Sequence, residues 1–152
     1  MEPRQRFAVR VLLVNAEGAV LLFRGFDPVK PEERYWFTPG GGIDPQESAA
    51  DAASRELQEE TGLALPPSAF GEPVHSDTTH FSFDGVSYRQ EQEFYLVRVG
   101  EWIVDTSGFD GYEADSIDAH HWWSVPELER TEEIYHPQDL LEVLKRLGIT
   151  SC

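Results

Sequence analysis

Residues 41–63 read GGIDPQESAADAASRELQEETGL, and this stretch decides the fold. It places Glu56, Glu59 and Glu60 three and four residues apart, which puts three carboxylates on one face of a helix. Like charges at that spacing repel one another, so the helix needs a compensating partner. A divalent cation that prefers oxygen ligands is such a partner. The stretch therefore predicts a metal-binding helix, whereas Glu59 and Glu60 taken alone are typical of a solvated acidic face.

The sequence also predicts where this helix begins and ends. Asp44 is a good N-cap residue, and Glu47, three positions later, completes the pattern of a capping box. Gly62 supplies the left-handed conformation that commonly ends a helix. Between these residues, an apolar stripe recurs every four positions and is expected to pack on a sheet: Ala49, Ala53 and Leu57.

The spacing as a whole matches a known motif. The pattern is Gly41-x5-Glu47-x7-Arg55-Glu56-Leu57-x-Glu59-Glu60-x-Gly62-Leu63, and it resembles the Nudix box at every specified position. The resemblance implies an α/β Nudix fold, in which a mixed β-sheet is sandwiched between α-helices. It also implies a metal-dependent pyrophosphohydrolase that cleaves the diphosphate of a nucleoside diphosphate linked to another moiety. Nucleoside triphosphates and dinucleoside polyphosphates are the expected substrates.

The resemblance carries over to individual residues of the box. It implies that Mg²⁺ or Mn²⁺ is bound by the carboxylates of Glu56, Glu59 and Glu60, together with the backbone carbonyl of Gly41. Arg55 and Glu47 are then expected to form an ion pair that orients these ligands.

The general base is not fixed by the box. Glu113, in a polar loop before Trp122, is one candidate, and Glu93, on a predicted strand, is another. Glu91 shares the face of that strand, and a box glutamate is a further alternative. For Glu113 and Glu93, an ordinary solvated carboxylate is an equally good interpretation.

Substrate contacts are predicted from scarce residue types. Arg24, at the end of a predicted strand, is the first candidate for a phosphate contact, and Arg89 is the second. Phe81 is a candidate for stacking on a nucleobase, as are Trp36 and Phe83, although aromatic residues in strands more often belong to the core.

The sequence predicts that the whole chain, residues 1–152, forms one domain. Alternating apolar residues predict strands at 7–14, 19–24, 35–38, 74–83, 88–99 and 117–124, with a tight turn at Asp84-Gly85. Short helices are predicted at 125–129 and 137–147.

Composition limits the possible partners. The chain carries 28 acidic and 12 basic residues, a net charge of −16, which argues against a nucleic acid polymer as the ligand. No apolar run is long enough to span a membrane, and the one cysteine, Cys152, is terminal, so we expect a cytoplasmic protein without disulfides. A homodimer is possible. The main alternative to an enzyme is a non-catalytic sensor that keeps the Nudix fold.

Overall fold

The computed structural model describes residues 2–109 and 115–149. In these ranges the elements, in chain order, are β1 (Arg4–Val14), β2 (Val20–Gly25), β3 (Tyr35–Phe37), β4 (Gly40–Gly42), α1 (Ala49–Thr61), a 3₁₀ turn (Pro67–Ala69), β5 (His75–Phe83), β6 (Val86–Arg98), β7 (Ile117–Trp123), α2 (Val125–Arg130), β8 (Tyr135–His136) and α3 (Leu140–Arg146). None of the helices in these ranges has the length and apolar character needed to cross a membrane.

The strands form one mixed sheet in the order β5-β6-β1-β2-β3-β8, with β4 beside β1 and β7 beside β2. β1 pairs with β6 in parallel over its whole length, from Arg4 opposite Tyr88 to Val14 opposite Arg98. Its antiparallel contact with β2 is confined to Val14 and Val20, so the predicted hairpin pairs only at its turn. Beyond that turn the two strands diverge, and the sheet curls.

Alternation along β1 supplies two hydrophobic cores, one on each face of the sheet. Val9, Val11 and Leu13 point toward α1, where they meet Ala53 and Leu57. The intervening residues point to the other face and pack on α2 and α3; this second core includes Leu12, Val14, Trp36, Phe94, Trp123, Leu140 and Leu144. The predicted sheet between helices is confirmed.

The hairpin of β5 and β6 also follows the prediction. Phe83 lies opposite Val86, and the two turn residues both have positive φ, 51° at Asp84 and 82° at Gly85. Aspartate and glycine tolerate this conformation, which explains why the dipeptide marks the turn.

Two predicted helix starts are wrong. α1 begins after the N-cap Ser48, whose side chain accepts from the Asp51 amide, and not after Asp44. Asp44 and Glu47 instead close a separate turn, in which the Asp44 amide donates to Glu47 Oε1 at 3.0 Å. α3 begins at Leu140 and not at Pro137, because the chain just before Pro137 is held in the sheet as β8, paired with β3.

The glycine run also differs from expectation. Gly40, Gly41 and Gly42 form the strand β4, antiparallel to β1, with Gly40 opposite Arg10 and Gly41 opposite Val9. Without side chains, β4 lets other groups approach the backbone from both faces.

Candidate functional site

Two glutamates of α1 reach the glycine strand. Glu60 is 1% exposed, and its Oε1 accepts a hydrogen bond of 2.8 Å from the Gly40 amide. Glu56 is 8% exposed and lies against the next glycine, since a Cβ built on Gly41 would be 2.5 Å from Glu56 Oε1. Gly41 therefore leaves room for Glu56, and Gly40 offers its amide to Glu60, so both carboxylates lie against the strand. Gly62, with φ of 78°, ends α1 just beyond them, as predicted.

Arg55 links Glu47, which lies just before α1, to Glu56. Its guanidinium donates to both oxygens of Glu47, at 2.7 and 2.8 Å, and to Glu56 Oε1 at 2.8 Å. It also donates to the Gly42 carbonyl at 3.1 Å. A planar guanidinium has the fork geometry for such multiple contacts, which a lysine lacks. The predicted Arg55–Glu47 ion pair is therefore present.

The Arg55–Glu47 ion pair shifts the pKa of both partners. The hydrogen bond from Arg55 lowers the pKa of Glu47 from 4.5 to about 2. In return, the pKa of Arg55 is raised above its ordinary value, first by the bond to Glu47 and then by Glu56, against the opposing effect of burial. Both groups are thus charged at neutral pH, and the orientation of Glu56 is fixed by a cation that does not titrate.

Glu59 is the most exposed of the three helical glutamates. Its side chain is 38% exposed, and its Oε2 lies 3.5 Å from the same Arg55 nitrogen that contacts Glu56. Glu56 and Glu59 therefore share one guanidinium nitrogen, while Glu56 and Glu60 contact neighbouring glycines. Each of the three carboxylates thus contacts either Arg55 or the glycine strand.

The donor set suits a hard divalent cation. Three carboxylates and the carbonyls of a glycine strand offer only oxygen atoms, the ligands that Mg²⁺ and Mn²⁺ prefer. Glu60 uses one oxygen to accept from Gly40, and Glu56 uses one to accept from Arg55. Hydrogen bonds that hold one oxygen of a carboxylate are what orient the other oxygen toward a metal.

Glu93 and Glu91 lie on the face of the sheet that packs against α1, the helix that carries Glu56. Glu93 is opposite Val9 of β1, and Val9 is in turn opposite Gly41, so two strand spacings of about 4.8 Å each separate Glu93 from the glycine strand. Both carboxylates line a cavity of about 510 Å³ with Phe7 and Ile43. The other candidate base, Glu113, lies outside the described residues.

The predicted substrate contacts lie in different places. Arg24 donates to Asp118 at 2.9 Å and lies over the Trp36 ring, so its charge is already matched by a carboxylate. Arg89 lies four residues before Glu93 on β6, and its guanidinium donates to Gln5 and Glu91. Phe81 stacks on Tyr88 toward the hairpin end of β5 and β6, with ring centroids 5.2 Å apart. A substrate role for these three residues stays a prediction.

A second polar cluster lies on the opposite face of the sheet. His75, Asp77 and Asp139 have ligand atoms within 4.8 Å of one another, close enough to hold a metal ion. Arg146 approaches His75 Nδ1 at 3.2 Å and can only donate, so Nδ1 is the acceptor of that contact. Within the described residues, His75 Nε2 is buried without a hydrogen-bond partner and lies 3.5 Å from the Asp139 carboxylate and 3.8 Å from that of Asp77.

The sequence reasoning missed Arg10. It interrupts the apolar run of β1, and its guanidinium donates to the Thr38 carbonyl at 3.1 Å, two residues before the glycine strand. Burial lowers the pKa of Arg10 below its ordinary value, while Glu60 and Glu56 act in the opposite direction. The available signal was a single arginine between Val9 and Val11, in a strand that otherwise alternates between two apolar cores.

Comparisons with known proteins identify the family and the fold. The model of the NUDIX domain matches residues 4–147. An RNA pyrophosphohydrolase of Erythrobacter litoralis is 36% identical over 127 residues, which cover 78% of this chain and 70% of that protein. The crystal structure of a MutT protein from Methanosarcina mazei superposes with a TM-score of 0.73 at 20% identity, covering 97% of this chain and 96% of the other.

Other relatives match over a shorter part of their length. The m7GpppN-mRNA hydrolase NUDT17 of Bos taurus is 39% identical over 62 residues, which cover 41% of this chain but only 20% of that protein.

Proposed function

This chain belongs to the NUDIX domain family, and from that premise we propose that it is a divalent-metal-dependent pyrophosphohydrolase. Its substrate is a nucleoside diphosphate linked to another moiety, with nucleoside triphosphates and dinucleoside polyphosphates as the first candidates. The observation that carries the proposal is the arrangement of Glu56, Glu59 and Glu60 around Arg55 and the glycine strand.

We assign the binding of Mg²⁺ or Mn²⁺ to these three glutamates and the Gly41 carbonyl. When bound, such a cation neutralises charge on diphosphate oxygens and makes a water molecule more acidic. The need for that neutralisation is acute here, because a protein with a net charge of −16 repels an anionic substrate.

The protein's own groups have the task of holding the carboxylates in place. The Gly40 amide fixes Glu60, and Arg55 fixes Glu56 through a bond whose other end is anchored by Glu47. The absence of a side chain at Gly41 lets Glu56 lie directly against the strand. Preorganisation of this kind removes the cost of arranging the ligands during turnover.

Glu93 is our choice for the base that takes the proton from the attacking water. It lies on the α1 face of the sheet and lines a cavity next to Ile43, the residue that follows the glycine strand. Glu113 is the competing assignment. Glu93→Gln and Glu113→Gln, compared at saturating metal, distinguish the two, because only the variant that lacks the base should lose the pH dependence of kcat.

The test is release of phosphate and pyrophosphate from nucleoside triphosphates, diadenosine polyphosphates, ADP-ribose and nucleotide sugars, with Mg²⁺, with Mn²⁺ and with EDTA. We expect turnover only with metal. Glu59→Gln and Glu60→Gln should each abolish it while circular dichroism stays unchanged. Glu129→Gln, at an exposed glutamate that pairs with Lys145, is the matched control and should retain full activity. Near-normal turnover by Glu59→Gln would contradict the ligand assignment.

A second candidate substrate is a triphosphorylated RNA end. The Erythrobacter relative is named an RNA pyrophosphohydrolase, which favours including such an RNA in the panel. The excess of acidic residues in this chain opposes a long polyanion, so we expect a short nucleotide to be the better substrate. If the folded protein binds nucleotides but hydrolyses none of them, the protein is a non-catalytic sensor and not an enzyme.

A further inference from the structure

Arg10 is a partly buried cation whose hydrogen-bond partners are neutral. Its two hydrogen bonds go to the Thr38 carbonyl at 3.1 Å and to Gln92 Oε1 at 3.4 Å. Among residues 2–109 and 115–149, no carboxylate lies within ion-pair distance of its guanidinium. A guanidinium has five N–H donors, so three remain for other acceptors. A partly buried charge without a close counterion is costly, which points to a ligand that supplies one.

A neighbouring glutamine is also incompletely bonded. Gln90 is 1% exposed, and its Oε1 is buried without a hydrogen-bond partner. Its amide orientation is fixed by a chain of bonds: Arg10 donates to Gln92 Oε1, and Gln92 Nε2 donates to Asp77 at 2.8 Å. Gln90 Nε2 therefore donates to Gln92 Oε1, also at 2.8 Å, which leaves Gln90 Oε1 as an acceptor in need of a donor.

These groups adjoin the glutamate site. Arg10 lies opposite Gly40, whose amide binds Glu60, and Glu60 and Glu56 are close enough to influence its pKa. Arg10, Gln90 and Gln92 project to the face of the sheet away from α1, and Arg10 reaches the Thr38 carbonyl beside the glycine strand.

We propose that Arg10 and Gln90 form a substrate-binding subsite, in which Arg10 binds phosphate oxygens and Gln90 Oε1 accepts a hydrogen bond from a sugar hydroxyl. The subsite selects a phosphorylated sugar over an apolar group, because Gln90 Oε1 and the three remaining N–H groups of Arg10 would stay unpaired against an apolar ligand. The inference rests on the proposed function for its location, but it concerns binding and not turnover.

The test is calorimetric binding of inorganic pyrophosphate and of ribose 5-phosphate, at low ionic strength, once in EDTA and once with Ca²⁺. Arg10→Gln should weaken both probes about tenfold, the loss expected for one charge-assisted hydrogen bond. Arg10→Lys should lose less, because it keeps the charge but not the fork geometry. Gln90→Leu should weaken ribose 5-phosphate and leave pyrophosphate unchanged.

Arg98→Gln, at an exposed arginine at the far end of β6, is the control and should bind as the wild type does. Added NaCl should weaken pyrophosphate binding more steeply in the wild type than in Arg10→Gln, a difference that a merely structural role for Arg10 would not produce. Melting temperatures of all variants show whether they fold.

The proposal is overturned if folded Arg10→Gln binds both probes as tightly as the wild type, or if the wild type binds neither probe in either condition. Binding that depends on Arg10, in a protein that hydrolyses nothing in the substrate panel, would contradict the proposed function and support the subsite. Metal-dependent hydrolysis with an unchanged KM in Arg10→Gln would contradict the subsite alone.

Discussion

At the scale of single residues, Arg55 is the group on which the candidate site depends. It contacts Glu47, Glu56, Glu59 and the Gly42 carbonyl at once, so its loss would remove a contact from two of the three candidate metal ligands. We expect Arg55→Gln to reduce metal affinity and kcat by about 10- to 100-fold, the usual cost of losing a residue that orients metal ligands.

The measurement is a Mn²⁺ titration of activity and of the protein's melting temperature. Arg130→Gln, at an exposed arginine at the end of α2, serves as the control. Unchanged metal affinity in Arg55→Gln would mean that the glutamates hold their positions without it.

The Glu47–Arg55 pair also predicts a pH dependence of stability. The pKa of Glu47 is about 2 in the folded protein against an ordinary value of 4.5. A lowered pKa means that the stabilising contribution is complete above about pH 4.5 and is lost as the pH falls toward 2. The free energy of unfolding should therefore fall less steeply between pH 5 and 2 in Glu47→Gln than in the wild type. Urea unfolding across this range tests the difference, and parallel curves would contradict it.

At the scale of elements, the glycine strand gives a graded prediction. The three atoms nearest to a Cβ on Gly41 would all belong to the Glu56 carboxylate, the first at 2.5 Å, whereas a Cβ on Gly40, whose φ is 142°, would collide with the Val9 carbonyl. We therefore expect Gly41→Ala to lose activity at least about tenfold with its stability nearly intact. Gly40→Ala should lose more than about 2 kcal/mol of stability.

Gly100→Ala is the matched control, because nothing lies within 4 Å of its added Cβ. Activity assays and thermal melts of the three variants separate the two effects. Equal loss of stability in Gly40→Ala and Gly41→Ala would show that β4 acts as a unit and that Glu56 is not the group affected.

The same elements show what the sequence could and could not predict. The α1 carboxylates, Arg55 with Glu47, and the Asp84-Gly85 turn follow from local spacing, and the structure has them. The start of α1 was misplaced because two capping patterns follow one another, and the second, Ser48 with Asp51, is the one that starts the helix. β4 was missed because glycines carry no alternation, and Arg10 because its importance comes from Thr38 and Gln92, which are distant in sequence.

At the scale of the whole molecule, the net charge of −16 predicts the response to salt. Mutual repulsion of 28 acidic residues opposes compaction, and added ions screen it. We expect the melting temperature to rise by about 2–4 °C between 50 and 500 mM NaCl, the shift that about 1 kcal/mol gives in a domain of this size. A melting temperature that falls instead would mean that ion pairs such as Arg24–Asp118 outweigh the repulsion.

The parallel pairing of β1 with β6 has a consequence for synthesis on the ribosome. Residue 9 finds its neighbour in β6 only when residue 93 has emerged, and residue 20 waits for residue 123 for its neighbour in β7. Helix α1 therefore leaves the exit tunnel well before β1, on which it packs, is paired on its β6 side. A nascent chain halted before residue 98 would expose the apolar edge of β1, which is prone to aggregation. Such a chain is one that cellular chaperones would have to shield.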